Sequence, residues 1–149
     1  MPELAKKIVN AKNLFCIGRN AMSQAAREAA LKIKEVTYLH AEGMPAGELK
    51  HGSIALMEEG MPVIVFADNE TRALTTSNAM EVKARGAYVI GVDSKPNAAY
   101  DFHIQIPDFE DATPLLAIIP IQLLAYYLAV QKGCDPDKPR NLAKSVTVR

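Results

Sequence analysis

Apolar residues along this chain fall into short unbroken runs separated by longer stretches in which they recur every three to four positions. That alternation predicts strand and helix in turn. L-F-C-I-G (14–18) reads as a strand ending at a glycine, followed after a polar turn by a helix from about Met22 to Tyr38. G-M-P-A-G (43–47) reads as a loop leading into E-L-K-H-G, which has room only for a short helix or turn. P-V-I-V-F-A (62–67) and A-Y-V-I-G-V (87–92) have the continuous apolar character of parallel strands buried on both faces. Between them, D-N-E-T-R-A opens a helix that Asp68 or Asn69 can cap, running to about Arg85 before Gly86. F-H-I-Q-I (102–106) alternates, as a strand nearer a sheet edge does. A long helix from Thr113 to Lys132 follows, bent or restarted at Pro120, whose missing N–H breaks the ladder. Beyond Gly133 the tail has two prolines and no helical period, and should lie as an irregular segment on the surface.

Strand and helix in alternation imply right-handed crossovers, a parallel sheet and helices on both faces: an α/β, three-layer αβα sandwich. Residues 1–149 suit one domain with an irregular tail from 134 to 149. Ligands of such sheets bind beyond the carboxyl ends of the strands, so the turn after Ile17 and the start of the following helix belong to the expected rim. T-T-S-N (75–78) falls within a helix and reads as one of its exposed faces.

Composition narrows the classes of partner. Lys plus Arg number 17 and Asp plus Glu 17, so no net charge draws the chain to nucleic acid or anionic lipid. G-x-G-x-x-G and the P-loop are absent from the sequence. Cys16 and Cys134 lie far apart with no C-x-x-C spacing, which argues against a zinc site and a disulfide framework and fits a reducing cytoplasm. The N-terminus lacks the long apolar core of a signal peptide, so export is not expected. Ala112 to Val130 carries no charge over nearly membrane-spanning length, but Pro120 and Gln122 sit within it and the sheet needs a covering helix. The expectation is a core helix rather than a membrane anchor, covered in part by another subunit.

The charged pattern E-A-A-L-K-I-K-E (28–35) puts Glu28, Lys32 and Glu35 on one helical stripe. Glu followed four residues later by Lys is also the favourable order for a solvated ladder. Spacing alone leaves surface pairing and pocket chemistry both open. Three further strings bear on the choice: H-A-E (40–42), A-G-E-L-K-H-G (46–52) and D-K-P-R-N-L-A-K-S-V-T-V (137–148).

Together these strings resemble the last sugar-isomerase (SIS) subdomain of the glutamine–fructose-6-phosphate aminotransferases, over nearly the whole chain from about Leu14. The resemblance implies a flavodoxin-like SIS fold, a sugar-phosphate ligand, a homodimer and no cofactor or metal. By the same resemblance Glu35 moves a proton between C1 and C2 of the sugar, with Lys32 beside the reacting carbons and Glu28 in support. His51 is implied to come from the neighbouring subunit and assist ring opening, and Lys144 to form a Schiff base with the ketose carbonyl before ammonia replaces it. His40 and His103 are expected to be structural. His51 alone would equally suit a cap on a short helix, and Lys144 alone a solvated tail position.

The chain departs from that family in several respects. It begins Met1-Pro2-Glu3, without the N-terminal cysteine of a glutaminase, and after P-V-I-V-F-A it reads D-N-E-T-R-A where a serine- and threonine-rich phosphate loop would sit. Ala29, Ser53 and Arg149 stand where the family often has glycine, proline and glutamate. The expectation is an isomerase part nearly inactive alone, completed by a separate glutaminase and phosphate-binding SIS half; a non-catalytic sugar-phosphate-binding or assembly module is the alternative.

Overall fold

A computed structural model describes residues 1–142. In chain order the elements are α1 (Pro2–Ile8), β1 (Asn13–Gly18), α2 (Ala21–Thr37), β2 (His40–Pro45), β3 (Pro62–Phe66), α3 (Arg72–Lys83), β4 (Tyr88–Asp93), β5 (Phe102–Gln105) and α4 (Thr113–Gln131). Short 3₁₀ turns occupy Glu48–His51, Ser53–Leu56 and Glu110–Ala112. The five strands form one parallel sheet in the order β2-β1-β3-β4-β5.

Side-chain alternation along the strands divides the core between the two faces of this sheet. Leu14, Cys16, Ile64, Phe66, Ile90 and Val92 lie under α1, α2 and α4. Phe15, Ile17, Val63, Val65 and Val89 lie on the other face, with Ala79 and Val82 of α3 and with Leu49 of the first 3₁₀ turn. This is the expected three-layer α/β sandwich, with two helical layers of unequal weight.

The seating of α2 follows from small residues on both sides of its contact. Alanine is the strongest helix former, and Ala25, Ala26, Ala29 and Ala30 form its buried face. That face sits close enough to the sheet that a Cβ on Gly43 of β2 would lie 2.5 Å from the Arg27 Cα, and one on Gly18 would meet the Met22 carbonyl. Larger residues at those strand ends would push the helix outward. α2 closes at Tyr38, which adopts a left-handed conformation (φ 58°, ψ 15°) and donates its N–H to the Lys34 carbonyl.

Five features of the fold differ from what the sequence predicts. α1 was not anticipated, because its seven residues span too few turns to declare a period. Residues 40–45 are an edge strand rather than the start of a loop: β2 pairs with β1 from Asn13↔His40 to Gly18↔Pro45, and an edge position accommodates both Gly43 and Pro45. α3 begins at Arg72 because the Asp68 carboxylate first accepts the Thr71 N–H and hydroxyl, at 2.7 Å each, in a turn that precedes the helix. α4 runs through Pro120 as a single helix and does not restart there. Finally, T-T-S-N is not an exposed face, since Thr75 and Asn78 are buried.

α4 is long and apolar enough to cross a membrane by length and composition alone. Its inner face, including Ala117, Ile121, Leu124 and Leu128, is nevertheless part of the core beneath α2 and α1. Leu115, Ile119, Leu123, Tyr126 and Val130 form an exposed apolar stripe on its outer side.

Candidate active site

Helical geometry brings Glu28, Lys32 and Glu35 together as their spacing requires. Lys32 Nζ lies 2.7 Å from Glu35 Oε2 and 3.5 Å from Glu28 Oε1. The Lys32 and Glu35 side chains are 29% and 28% exposed, whereas Glu28 is 41% exposed. The hydrogen bond to Glu35 raises the Lys32 pKa, against the opposing effect of burial and with help from the charges of Glu35 and Glu28. Lys32 is therefore a fixed cation at neutral pH. The three groups form a carboxylate–ammonium–carboxylate row, half sheltered and half open.

That row opens on a groove of about 230 Å³, lined by Lys32, Glu35 and Val36 of α2, by Gln122, Ala125 and Tyr126 of α4, and by Pro136 of the tail. The tail crosses the end of α2, where the Arg140 backbone N–H donates to the Tyr38 hydroxyl at 2.9 Å. The Arg140 guanidinium carbon lies 4.1 Å from the centre of the Tyr38 ring. As expected, the tail up to Leu142 contains no helix or strand. Lys144 lies outside the described residues.

His51 stands elsewhere. It belongs to the 3₁₀ turn Glu48–His51, whose Leu49 packs into the core on the face of the sheet opposite α2. Its side chain is 73% exposed, with Nδ1 3.1 Å from Glu48 Oε2. The turn is anchored to α3 by Lys50 Nζ, 2.7 Å from Glu81 Oε1, and Glu81 Oε2 is buried without a partner among the described residues. Arg19 Nε and Nη2 donate to Asn78 Oδ1 at 3.1 and 3.0 Å, which sets the guanidinium beside Gly47, where the turn begins. Nothing in the string T-T-S-N signalled this role for Asn78, because its partner is 59 residues away.

The rim at the carboxyl ends of the strands was the expected ligand position, and its chemistry differs from that of the groove. α2 starts at this rim, but Glu35 lies 14 residues into the helix, about 20 Å along its axis. At the rim, Asp68, Glu70, Asp108, Glu110 and Asp111 border a hollow of about 650 Å³. So many carboxylates oppose a phosphate there. Among the described residues, no group of three or more His, Cys, Asp or Glu side chains is placed to hold a metal ion.

Next to the hollow, Asp93 is fully buried and accepts from Arg72 Nε and Nη2 and from the Tyr100 hydroxyl. This pairing ties the start of α3 to the end of β4, and sequence periodicity gave no sign of it. Burial, then the Asp93 charge and hydrogen bond, push the Tyr100 pKa well up. His103 Nε2 lies 3.0 Å from the Asp93 carbonyl and its ring stacks on Tyr100, a structural role; His40 is exposed on β2. Cys16 and Cys134 are free, and burial raises the Cys16 thiol pKa far above its ordinary value.

The SIS domain family model matches residues 7–132. The chain is 53% identical to glutamine–fructose-6-phosphate aminotransferase (isomerizing) from Pyrobaculum aerophilum, over 98% of this chain and 25% of that protein. It thus spans about a quarter of the length of the curated relatives it matches. The structure of the C-terminal domain of glucosamine-fructose-6-phosphate aminotransferase from Francisella tularensis superimposes with a TM-score of 0.86 at 34% identity, over 92% of this chain and 40% of that one. Tagatose-6-phosphate ketose/aldose isomerase from Escherichia coli shares the fold, with a TM-score of 0.80 at 23% identity, over 98% of this chain and 44% of that one.

Proposed function

The chain belongs to the SIS domain family, and from that premise we propose that it is the isomerase SIS domain of a cytoplasmic glutamine–fructose-6-phosphate aminotransferase, working as part of a larger assembly. The observation that carries this reading is the Glu28–Lys32–Glu35 row opening on a groove that the C-terminal tail also borders. In this reading residues 1–149 act as one SIS domain whose tail begins at 134.

In this reading the sugar phosphate lies with C1 and C2 against Glu35, whose carboxylate takes a proton from one carbon and returns it to the other. Sitting on a helix, the acid reaches both carbons without reorganising. Lys32 offers a fixed positive charge where negative charge develops on the sugar oxygens, and Glu28 holds Lys32 in place. The Lys144 amine attacks the ketose carbonyl, whose oxygen leaves as water; ammonia then displaces the lysine from the iminium. Only a neutral amine can attack, so this step requires a site that favours the neutral amine, through desolvation or nearby positive charge. Arg140 is docked one turn beyond Glu35, and the four residues from there to Lys144 can span up to about 14 Å. A chain of that length suffices to bring a tail lysine to the groove.

His51 and Glu35 lie on opposite faces of the sheet. This supports donation of His51 to the groove of a second copy, to assist ring opening. The exposed stripe on α4 and the groove beside it need a partner surface as well. The acidic rim and the D-N-E-T-R-A loop leave phosphate binding to a companion SIS unit, and ammonia to a glutaminase.

Borohydride reduction in the presence of fructose-6-phosphate tests the proposal, with the adduct mapped by mass spectrometry. The expected result is a sugar adduct on Lys144, lost in Lys144→Ala, and very slow conversion of fructose-6-phosphate to glucose-6-phosphate by the chain alone. Sugar binding that survives both Lys144→Ala and Glu35→Gln, with no adduct, would favour a non-catalytic sugar-phosphate-binding or assembly module. The acidic rim favours the assembly form of that alternative over the binding form, because it leaves the chain without its own phosphate grip.

A further inference from the structure

The end of α2 carries a tyrosine where glycine is the unstrained choice. At φ 58° Tyr38 is in the left-handed region, where a Cβ crowds the backbone. The bond that closes the helix, from Tyr38 N–H to Lys34 O, needs no side chain. The phenol makes its contacts 102 residues away in sequence: its oxygen accepts the Arg140 N–H, and its ring lies under the Arg140 guanidinium. Among the described residues beyond Cys134, that hydrogen bond is the one joining the tail to the body of the molecule, since the other, from Asp137 N–H to Asp135, stays within the tail. Pro136, four residues before Arg140, walls the groove that holds Lys32 and Glu35.

We propose that Tyr38 and Arg140 form a latch that seats the C-terminal tail across the end of α2 and so builds one wall of the Glu35 groove. Neither residue lines the groove, so both act as positioning residues. The role of the wall in catalysis rests on the function proposed above; the latch itself does not.

Trypsin reads the latch directly on the full chain. The Arg140–Asn141 bond is a tryptic site, whereas Lys138 is followed by proline and resists cleavage, and the Arg85–Gly86 bond in the body serves as the internal reference. Tyr38→Phe removes the acceptor and should speed cleavage at Arg140 about fivefold, the equivalent of one lost hydrogen bond. Tyr38→Gly removes the ring as well and should speed it roughly tenfold or more. Because glycine relieves the left-handed strain, the thermal midpoint of Tyr38→Gly should hold or rise. A tail that is merely part of the general packing would loosen together with the body. Cleavage at Arg140 unchanged in both variants, or accelerated equally at Arg85, overturns the latch.

A second measurement reads the wall. In the complete isomerase assembly, Tyr38→Gly should lower kcat about tenfold, the misalignment expected of a loosened site wall. An unchanged kcat in an enzyme that Glu35→Gln silences overturns the wall. If Glu35→Gln leaves the rate untouched, it is the proposed function that fails, while the cleavage rates still decide the latch.

Discussion

The α2 row and the 46–52 turn hold their chemistry in opposite ways. Glu28, Lys32 and Glu35 are neighbours because a helix makes them so, and no distant residue is needed to assemble them. His51 sits on a single 3₁₀ turn too short to hold itself, which borrows its position from Leu49 in the core, from Glu81 through Lys50, and from Arg19 and Asn78 beside Gly47. The sheet separates the two regions. A self-contained row can serve its own chain, whereas an exposed side chain on a firmly anchored turn suits delivery to another.

The largest expected effect tests that division of labour. In the complete assembly Glu35→Gln should lower kcat at least about a hundredfold, and His51→Asn should slow turnover of the closed sugar by about tenfold or more. Mixing the two impaired proteins sharpens the comparison. A mixed dimer has one groove with an intact Glu35 from one chain and an intact His51 from the other, so part of the activity should return. No recovery on mixing, with mixed dimers shown to form, would put both residues to work within one chain and sink the in-trans arrangement.

Next in size is the seat of the row. Gly43→Ala forces a Cβ to within 2.5 Å of the Arg27 backbone, and should cost about 1–3 kcal/mol by urea unfolding. Gly47→Ala meets nothing closer than Arg19 Nη2 at 3.9 Å, and should be near neutral. Equal losses at both positions would mean that α2 is no more tightly seated than the turn.

The same contrast explains what was legible in the sequence. Strands β1, β3, β4 and β5 and helices α2 and α4 declare themselves by period, and E-A-A-L-K-I-K-E declares its stripe, because both signals are local. β2 was missed because Gly43 and Pro45 are read as loop residues, although a sheet edge tolerates the proline and the close approach of α2 requires the glycine. Asn78, Glu81, Asp93 and Arg140 were missed for another reason: each gains its meaning from a partner brought near only by the fold. The roles proposed for His51 and Lys144 rest on the resemblance of whole strings, and periodicity alone gives neither residue a role.

Breaking the turn's anchor should have a smaller effect. Glu81→Gln removes the partner of Lys50, and because the pair is partly exposed the stability loss should stay below about 1 kcal/mol. The rate should fall more than that, since His51 swings with its turn, and the fall should vanish in a His51→Asn background. The exchange Lys50→Glu with Glu81→Lys should recover part of it. An equal fall with and without His51 would show that Glu81 serves only the packing of α3.

The smallest effect concerns Lys32. Its pKa is raised above the ordinary 10.5 by the hydrogen bond to Glu35, against burial and with the charges of both glutamates. A group whose pKa is higher when folded contributes stability that is complete below the unfolded value and disappears as pH rises through the folded one. With 29% of the side chain exposed, that contribution should be below about 1 kcal/mol. Urea unfolding of the wild type and Lys32→Met should therefore differ by a constant amount from about pH 7 to about pH 10, and the gap should close only above the ordinary lysine value. A gap that closed near neutrality would mean that Lys32 loses its proton there. The row would then hold a neutral amine beside Glu35, and the fixed cation assigned to the reacting carbons would be absent at the pH where the reaction has to run.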